Sequence, residues 1–418
     1  MKPAPRAIEP AALDLREFIR AGDLIVVAQG PAEPTTLTRA LLRQIEKIGP
    51  VTVFLGVTMA DTFGPDAPAE LRFMAYGGVG RNAALARAGR LTVVPCHYSQ
   101  LPALFASGGL KADVVLSHAA RLADGSSFTL GATFDGYVSA AARGARSVLL
   151  EVSPASPRIA GGELDADIRI DAVIPTDAPL VSVGPAAAGA AEMRIATHVA
   201  GLVEDGATLQ MGIGALPDAI LTALKSHRRL GMHSGLFTET AMELVDAGAL
   251  DNSMKPFDTG VSTVGMLAGS TDFYRRIDGD ARLYLRPATV THGITTLAQL
   301  PRFTSLNSAI EVDLTGQVNA EVAGGAYIGG FGGQLDFVRG AAASPGGISI
   351  IALPSTTRGD SVSRIARTLS GPVTTPSADV DCVVTEWGVA RLKGVPFDER
   401  RKRLVAIAHP KFRDELSR

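Results

Sequence analysis

Short runs of β-branched and aliphatic residues alternate along this chain with stretches whose apolar positions recur at helical spacing. Leu24 to Ala28 reads as a strand; after Pro34, the residues Leu37, Leu41, Ile45 and Ile48 fall on one helix face, and VTVFLGV (51–57) reads as the next strand. That succession is one βαβ unit, the order in which crossover helices join parallel strands. A second unit begins near residue 206. There DGATLQMGIGALPDAILTALKSHRRLGMHSG repeats the order of AGDLIVVAQGPAEPTTLTRALLRQIEKIGPVTVFLG: a turn with Gly and an acidic residue, a strand, a loop, a proline at a helix start, an Ala/Leu-rich helix and a third segment. The pattern predicts two related open α/β domains. The Ala/Gly/Pro stretch VSVGPAAAGAAEMR (181–194) has the composition of a connector, which places the domains at 1–188 and 189–418.

One stretch raises a question of its own. RRLGMHSGLFTETAMELV (228–245) reads as a short apolar strand that ends at His233-Ser234-Gly235 and turns into a helix beginning near Thr240.

Composition narrows what such a chain does. With 418 residues and 46% hydrophobic content, it has material for ordinary cores in two or three domains. Forty basic residues stand against forty-two acidic ones, scattered rather than blocked, so there is no field to hold nucleic acid or an anionic membrane. An anionic ligand must be held locally. No apolar run approaches the length of a spanning helix and MKPAPRAIEP lacks a signal-type apolar core, so the expected compartment is the cytoplasm. Cys96 and Cys382 lie singly in strand-like apolar runs and read as buried core thiols, without metal-site or disulfide spacing.

Open parallel sheets bind ligands at the carboxyl ends of their strands, and two strand-to-loop junctions here are rich in glycine. QMGIGALPDAI places Gly212 and Gly214 between a strand and a helix, where missing side chains let a ligand approach backbone N–H groups. A tight turn explains these glycines as well. GGAYIGGFGGQLDFVRG is denser, with Gly329, Gly330, Gly332 and Gly333 around Phe331 before Gln334, and suggests backbone pressed against a ligand.

The succession LQMGIGALPDAI, LGMHSGLF, NSAIEVDLTGQVNAE, GGQLDFVRGAAASPGGISIIALPST, VTTPSADVDCVVTEWGVARLKG and AHPKFRDEL resembles the acetyl-CoA hydrolase/transferase family, which includes 4-hydroxybutyrate CoA-transferases. The first half fits through RAGDLIVV, LTVVPCHYSQLPALF and FTLGATFDGYVSAAARGARSVLLEVS. The resemblance implies the CoA-transferase superfamily fold, with two α/β domains that bind an acyl-CoA thioester between them as substrate, no permanently bound cofactor, a carboxylate acceptor and a homodimer. It also implies CoA-binding loops at Gly212, Ile213, Gly214, Ala215 and Leu216 and at Gly332, Gly333 and Gln334.

In that family the turn quoted above carries a glutamate that attacks the thioester and holds CoA as a glutamyl thioester. Here the matching residue is Gly235, which cannot be a nucleophile. Glu239 and Glu243 follow at helical spacing; Glu239 is either a replacement carboxylate or an acidic residue in a helix's first turn, and Thr240 with Glu243 has the spacing of a capping box. His233 is a candidate general base or a hydrogen-bonding residue, and His97 and His118 also stand at strand ends. Glu386, in a Val-Thr-Glu-aromatic-Gly segment, reads as structural support; Arg364 and Arg391 read as phosphate partners or as solvated charges. LYLRPATVTHGITTLAQLPRFTSLNS (283–308) departs from the family's usual wording and points to an altered acyl or acceptor site. Three readings remain open: a CoA-ester enzyme in which the absent glutamate leaves a pocket and backbone amide donors that polarise the thioester for attack by water or another acceptor, a CoA-transferase using another carboxylate or passing CoA directly, and a catalytically silent acyl-CoA-binding paralogue.

Overall fold

The computed structural model describes residues 4–125, 127–133 and 136–418. The chain groups into two compact units, Met1–Val183 with Gly265–Thr289 and Ala326–Gly329, and Gly184–Val264 with Val290–Gly325 and Gly330–Arg418.

The first unit is built on strands β1 (Leu24–Val27), β2 (Val51–Leu55), β3 (Leu71–Ala75), β4 (Leu91–Val93), β5 (Val114–Arg121), β6 (Ser147–Val152) and β7 (Ala172–Pro175). They lie in the order β7-β6-β5-β1-β2-β3-β4, all parallel. Helix α1 (Thr35–Ile48) is the crossover expected after Pro34. Its Leu37, Leu41, Ile45 and Ile48 are buried against the sheet, each contributing roughly 1.5–3 kcal/mol of hydrophobic burial. Pro34 has no side chain to cap the helix, so the carboxylate of Glu151 does so from the end of β6, accepting from the N–H groups of Thr36 (2.7 Å) and Leu37 (3.1 Å). Gly49, at φ 91°, ends the helix in a conformation that glycine adopts without strain.

The second unit repeats this plan. It contains α2 (Ala190–Ala200), β8 (Thr208–Gln210), α3 (Ala215–Ala223), β9 (Gly231–Thr238), α4 (Glu239–Asp246), β10 (Phe303–Ser308), α5 (Gln334–Ala343), β11 (Ile348–Ala352), β12 (Cys382–Thr385), β13 (Gly388–Arg391) and α6 (Phe397–Ile407). The strands run β9-β8-β10-β11-β12-β13, parallel except for the final pair.

In both units the first strand is central, and the chain moves outward on one side before returning to the other. This reversal opens a crevice at the strands' carboxyl ends, between β1 and β5 and between β8 and β10. A glutamine pins each exit. Gln29 accepts from Val57 N–H (3.1 Å) and the Tyr76 hydroxyl (2.9 Å); Gln210 accepts from Leu306 N–H and the Asn307 amide, both at 3.2 Å. The expected pair of related α/β folds is thus present down to a shared device at the crevice.

The strand expected to end at His233-Ser234-Gly235 instead continues to Thr238, and the helix begins at Glu239. Gly235 is outside the left-handed region and its neighbours pair as strand, so it is no turn residue. The cap differs too: the Thr238 hydroxyl accepts from Ala241 N–H at 3.3 Å, so Thr240 and Glu243 form no capping box. Glu243 pairs with Lys225 instead.

Candidate active site

Alternation along β9 places His233 and Gly235 on one face and sends Ser234 to the other. The Ser234 hydroxyl accepts from Met211 N–H (3.2 Å) and donates to Met211 C=O (3.1 Å), which ties β9 to the start of the QMGIG loop. On the opposite face, Nε2 of His233 lies 3.3 Å from the carbonyl of Val290, and its ring meets Phe257 edge-on. His233 is fully buried, and its contacts are those of a packed, hydrogen-bonding histidine.

Gly235 remains a glycine for a steric reason. A Cβ built on it would lie 2.8 Å from Cε1 and 3.0 Å from Nε2 of His292. The same ring abuts Gly333, the residue before α5, where a Cβ would lie 2.5 Å from Nε2. Both distances are closer than a real Cβ tolerates without the neighbour moving. The imidazole therefore occupies a slot that exists only because positions 235 and 333 lack side chains. Phe337, one turn into α5, packs on the ring with centroids 4.4 Å apart, and the Thr291 hydroxyl lies 2.9 Å from Nδ1. Burial, with a smaller contribution from neighbouring His233, pushes the His292 pKa down to about 3, so the ring is neutral at physiological pH.

This corrects the expectation that the missing carboxylate leaves open volume. The space beside Gly235 is taken by an aromatic base from a distant segment. His292 lies within the stretch 283–308, flagged for its unusual wording, but nothing local singled it out. Two anomalies together held the signal: a glycine where an acid is expected, and an altered segment containing a histidine.

Of the predicted CoA loops, Gly214 (φ 122°) caps α3, Ile213 is exposed, and Leu216 lines a cleft of about 500 Å³ beyond β10, β11 and β12. Ala215 opens α3, and Gly212 has open space around its missing side chain apart from Pro217. Gly332 is left-handed at φ 49°, Gly333 faces His292, and Gln334 opens α5 with its amide donating to the Thr375 hydroxyl (3.1 Å). The described cleft lining includes Leu216 but none of Gly332, Gly333 and Gln334. The cleft is also lined by Arg194, Arg364 and His409 and by Glu192, Asp360 and Glu386. Arg364 is partly desolvated, which lowers its pKa against the opposing pull of Glu192 and Glu386. Arg391 is exposed on β13 and outside the cleft lining.

Glu386 accepts from the backbone N–H (2.8 Å) and hydroxyl (2.5 Å) of Ser355, and Trp387 Nε1 donates to that hydroxyl at 3.2 Å. It fixes the loop after β11, a supporting role. Glu239 is the first residue of α4, half-buried at the end where a negative charge meets the positive helix terminus. His97 takes part in the cap of a short helical turn over Tyr98–Gln100. His118 is buried on β5, which pushes its pKa down to about 4. Both cysteines are buried, and the Cys382 thiol is pushed up to about 12 by desolvation and nearby Asp381, so it is inert as a nucleophile. Among the described residues no group of histidine, cysteine and acidic side chains is placed to hold a metal, and no helix is long and apolar enough to cross a membrane.

Comparison with known proteins gives this geometry a context. Residues 11–183 match the acetyl-CoA hydrolase/transferase N-terminal domain and residues 269–418 the acetyl-CoA hydrolase/transferase C-terminal domain. The chain is 35% identical to a 4-hydroxybutyrate coenzyme A transferase of Clostridium kluyveri over 94% of its own length and 92% of the relative's. It superposes on the crystal structure of RipA from Yersinia pestis with a TM-score of 0.91 and 31% identity, covering 99% of this chain and 96% of that one. A 4-hydroxybutyrate CoA-transferase from Porphyromonas gingivalis gives 0.81 and 31% over the same shares.

Proposed function

Because the chain belongs to the acetyl-CoA hydrolase/transferase family, we propose that it processes an acyl-CoA by direct attack of an acceptor on the thioester, with no covalent carboxylate relay on β9. One observation carries this reading. Gly235 has no functional group, and the His292 ring fills the place where a side chain would start. A two-step exchange needs an anionic oxygen within bonding distance of the thioester carbon, and position 235 supplies none.

The remainder of the site suits a thioester. Gly332 leaves backbone unshielded just before α5, a helix of ten residues whose positive end favours the oxygen of a polarised carbonyl. The cleft from Leu216 to Arg364 provides room and cationic groups for the remote part of the CoA. A homodimer and a cytoplasmic location belong to the same reading by family resemblance.

The test is an acceptor assay. Consumption of acetyl-CoA and butyryl-CoA is followed with and without acetate, succinate or another free carboxylate. Direct attack predicts release of CoA thiol that does not require the carboxylate. Strict dependence on the carboxylate, with acyl exchange and no hydrolysis, would overturn it. Binding of acyl-CoA with no turnover under any condition would identify the silent paralogue.

A further inference from the structure

The cleft beyond β10, β11 and β12 contains a cation that the described residues leave unpaired. Its lining includes the ends of three parallel strands: Ser308 and Ala352 close β10 and β11, and Glu386 follows β12. That is the carboxyl edge at which open sheets take their ligands. We propose that Arg364 is the anion anchor of this cleft and that the anion is a phosphate on the adenosine end of the CoA. The inference rests on the acyl-CoA reading above and names the residue that selects one part of that ligand.

The backbone of Arg364 is fixed while its side chain is unused. Its N–H donates to the carbonyl of Ser355 and its carbonyl accepts from Val312 N–H, both at 2.8 Å. Among the described residues the guanidinium makes no hydrogen bond and no ion pair, and its nitrogens are not sealed in the interior. Holding a cation partly out of water without a partner is costly, and an anionic oxygen of a ligand offsets that cost. The acids of the cleft do not, because each is engaged elsewhere. Glu386 accepts from the N–H and hydroxyl of Ser355, Asp360 from the Thr356 hydroxyl at 2.6 Å, and Glu192 from Gly189 N–H at 3.0 Å.

Charge and shape identify the ligand. Exposed Arg194 lines the same cleft, Lys411 Nζ lies 3.4 Å from the carbonyl of Asp360, and Arg413 lies over the Trp387 ring, 5.7 Å from its centroid. With Arg364, four cations thus surround the three acids. A guanidinium with its donors free matches phosphate oxygens two at a time. Trp387 is exposed in the lining, its indole Nε1–H held by the Ser355 hydroxyl, and an aromatic face of this kind stacks a nucleobase. A cleft of about 500 Å³ has the size of a small-molecule site and exceeds what a bare anion fills.

Calorimetry on the full chain tests the assignment, with CoA, adenosine 3′,5′-bisphosphate and inorganic phosphate as titrants of the parent, Arg364→Gln and Arg364→Lys. If Arg364 is the anchor, the parent binds the bisphosphate, CoA displaces it, and inorganic phosphate binds far more weakly. Arg364→Gln weakens both nucleotides about tenfold or more, the loss expected for a hydrogen-bonded charge pair. Arg364→Lys restores part of that loss, because it keeps the charge without the fork. Both variants keep the parent's thermal unfolding midpoint, since the guanidinium gives up no protein partner. The proposal is overturned if the parent takes up no bisphosphate at millimolar concentration, if CoA does not displace it, or if inorganic phosphate binds as well. It is equally overturned if folded Arg364→Gln holds CoA and the bisphosphate within about twofold of the parent. A lowered unfolding midpoint alongside the lost affinity would also overturn it, making Arg364 a support of the cleft. Failure of the underlying function is read separately, because these probes bind without turnover: strict carboxylate dependence in the acceptor assay leaves this result unchanged.

Discussion

The ring of His292 begins where a side chain on Gly235 would begin, 2.8 Å from the position of its Cβ. A side chain at position 235 and the ring of His292 therefore compete for the same space, and neither position can be changed without consequences for the other.

Gly235→Glu alone is expected to gain no acetate-dependent CoA transfer. Its Cβ forces the buried ring away from Phe337 and Thr291, an overpacking cost of typically 1–3 kcal/mol, and a carboxylate placed there is desolvated and its pKa raised. The double variant Gly235→Glu/His292→Gly removes the obstruction. Thermal unfolding should show the single variant destabilised and the double variant recovered, and only the double variant should exchange CoA between butyryl-CoA and acetate. Transfer activity in the single variant would show that the slot is softer than the packing implies.

Incubation with acyl-CoA followed by borohydride or hydroxylamine should leave the peptide spanning β9 and α4 unmodified. Gly235 offers no carboxylate, and Glu239 is placed to neutralise the terminus of α4. Mass spectrometry provides the check. A CoA adduct on Glu239 would restore the two-step mechanism.

The two glycines before α5 should respond differently to substitution. Gly333→Ala drives a methyl into the His292 ring and is expected to destabilise the fold by about 1–3 kcal/mol, measured by denaturant unfolding. Gly332 has open space around it but a left-handed backbone, so Gly332→Val carries a conformational cost of roughly 1–2 kcal/mol and a bulky group on the proposed CoA face. CoA affinity by calorimetry should fall for Gly332→Val in protein that remains folded. Unchanged affinity would remove this loop from the CoA site.

Glu33, in the first unit, gives a pH signature. Burial lifts its carboxyl to about 7 from the ordinary 4.5, although backbone N–H bonds from Met59 and from Ala60 (2.9 Å) favour the ionised form. The folded state holds this proton more tightly than the unfolded state. Its stabilising contribution is therefore complete below about pH 4.5 and is lost progressively up to about pH 7. In Glu33→Gln the loss of stability across that window should shrink, as urea midpoints at pH 4.5 and 7.5 would show. An identical pH slope in the variant would mean that Glu33 ionises normally.

The sequence by itself determined the elements and the family. Leu37, Leu41, Ile45 and Ile48 mark α1 because helical periodicity is local, and the repeated βαβ order sets two related parallel sheets because crossover geometry leaves little freedom. It also showed that position 235 has no nucleophile, since that needs only the residue's identity. Tertiary structure decided the remainder. Local rules treat glycine as a breaker and end β9 at His233-Ser234-Gly235, whereas the strand, which pairs with β8 at Gly231 and Met232, runs through to Thr238. Capping statistics favoured Thr240, but the longer strand makes Thr238 the cap. Above all, no local pattern could show that His292 meets both Gly235 and Gly333. Those residues lie on three separate segments, and their meeting depends on which strand neighbours which, how α5 is anchored, and how little room two missing side chains leave for a ring.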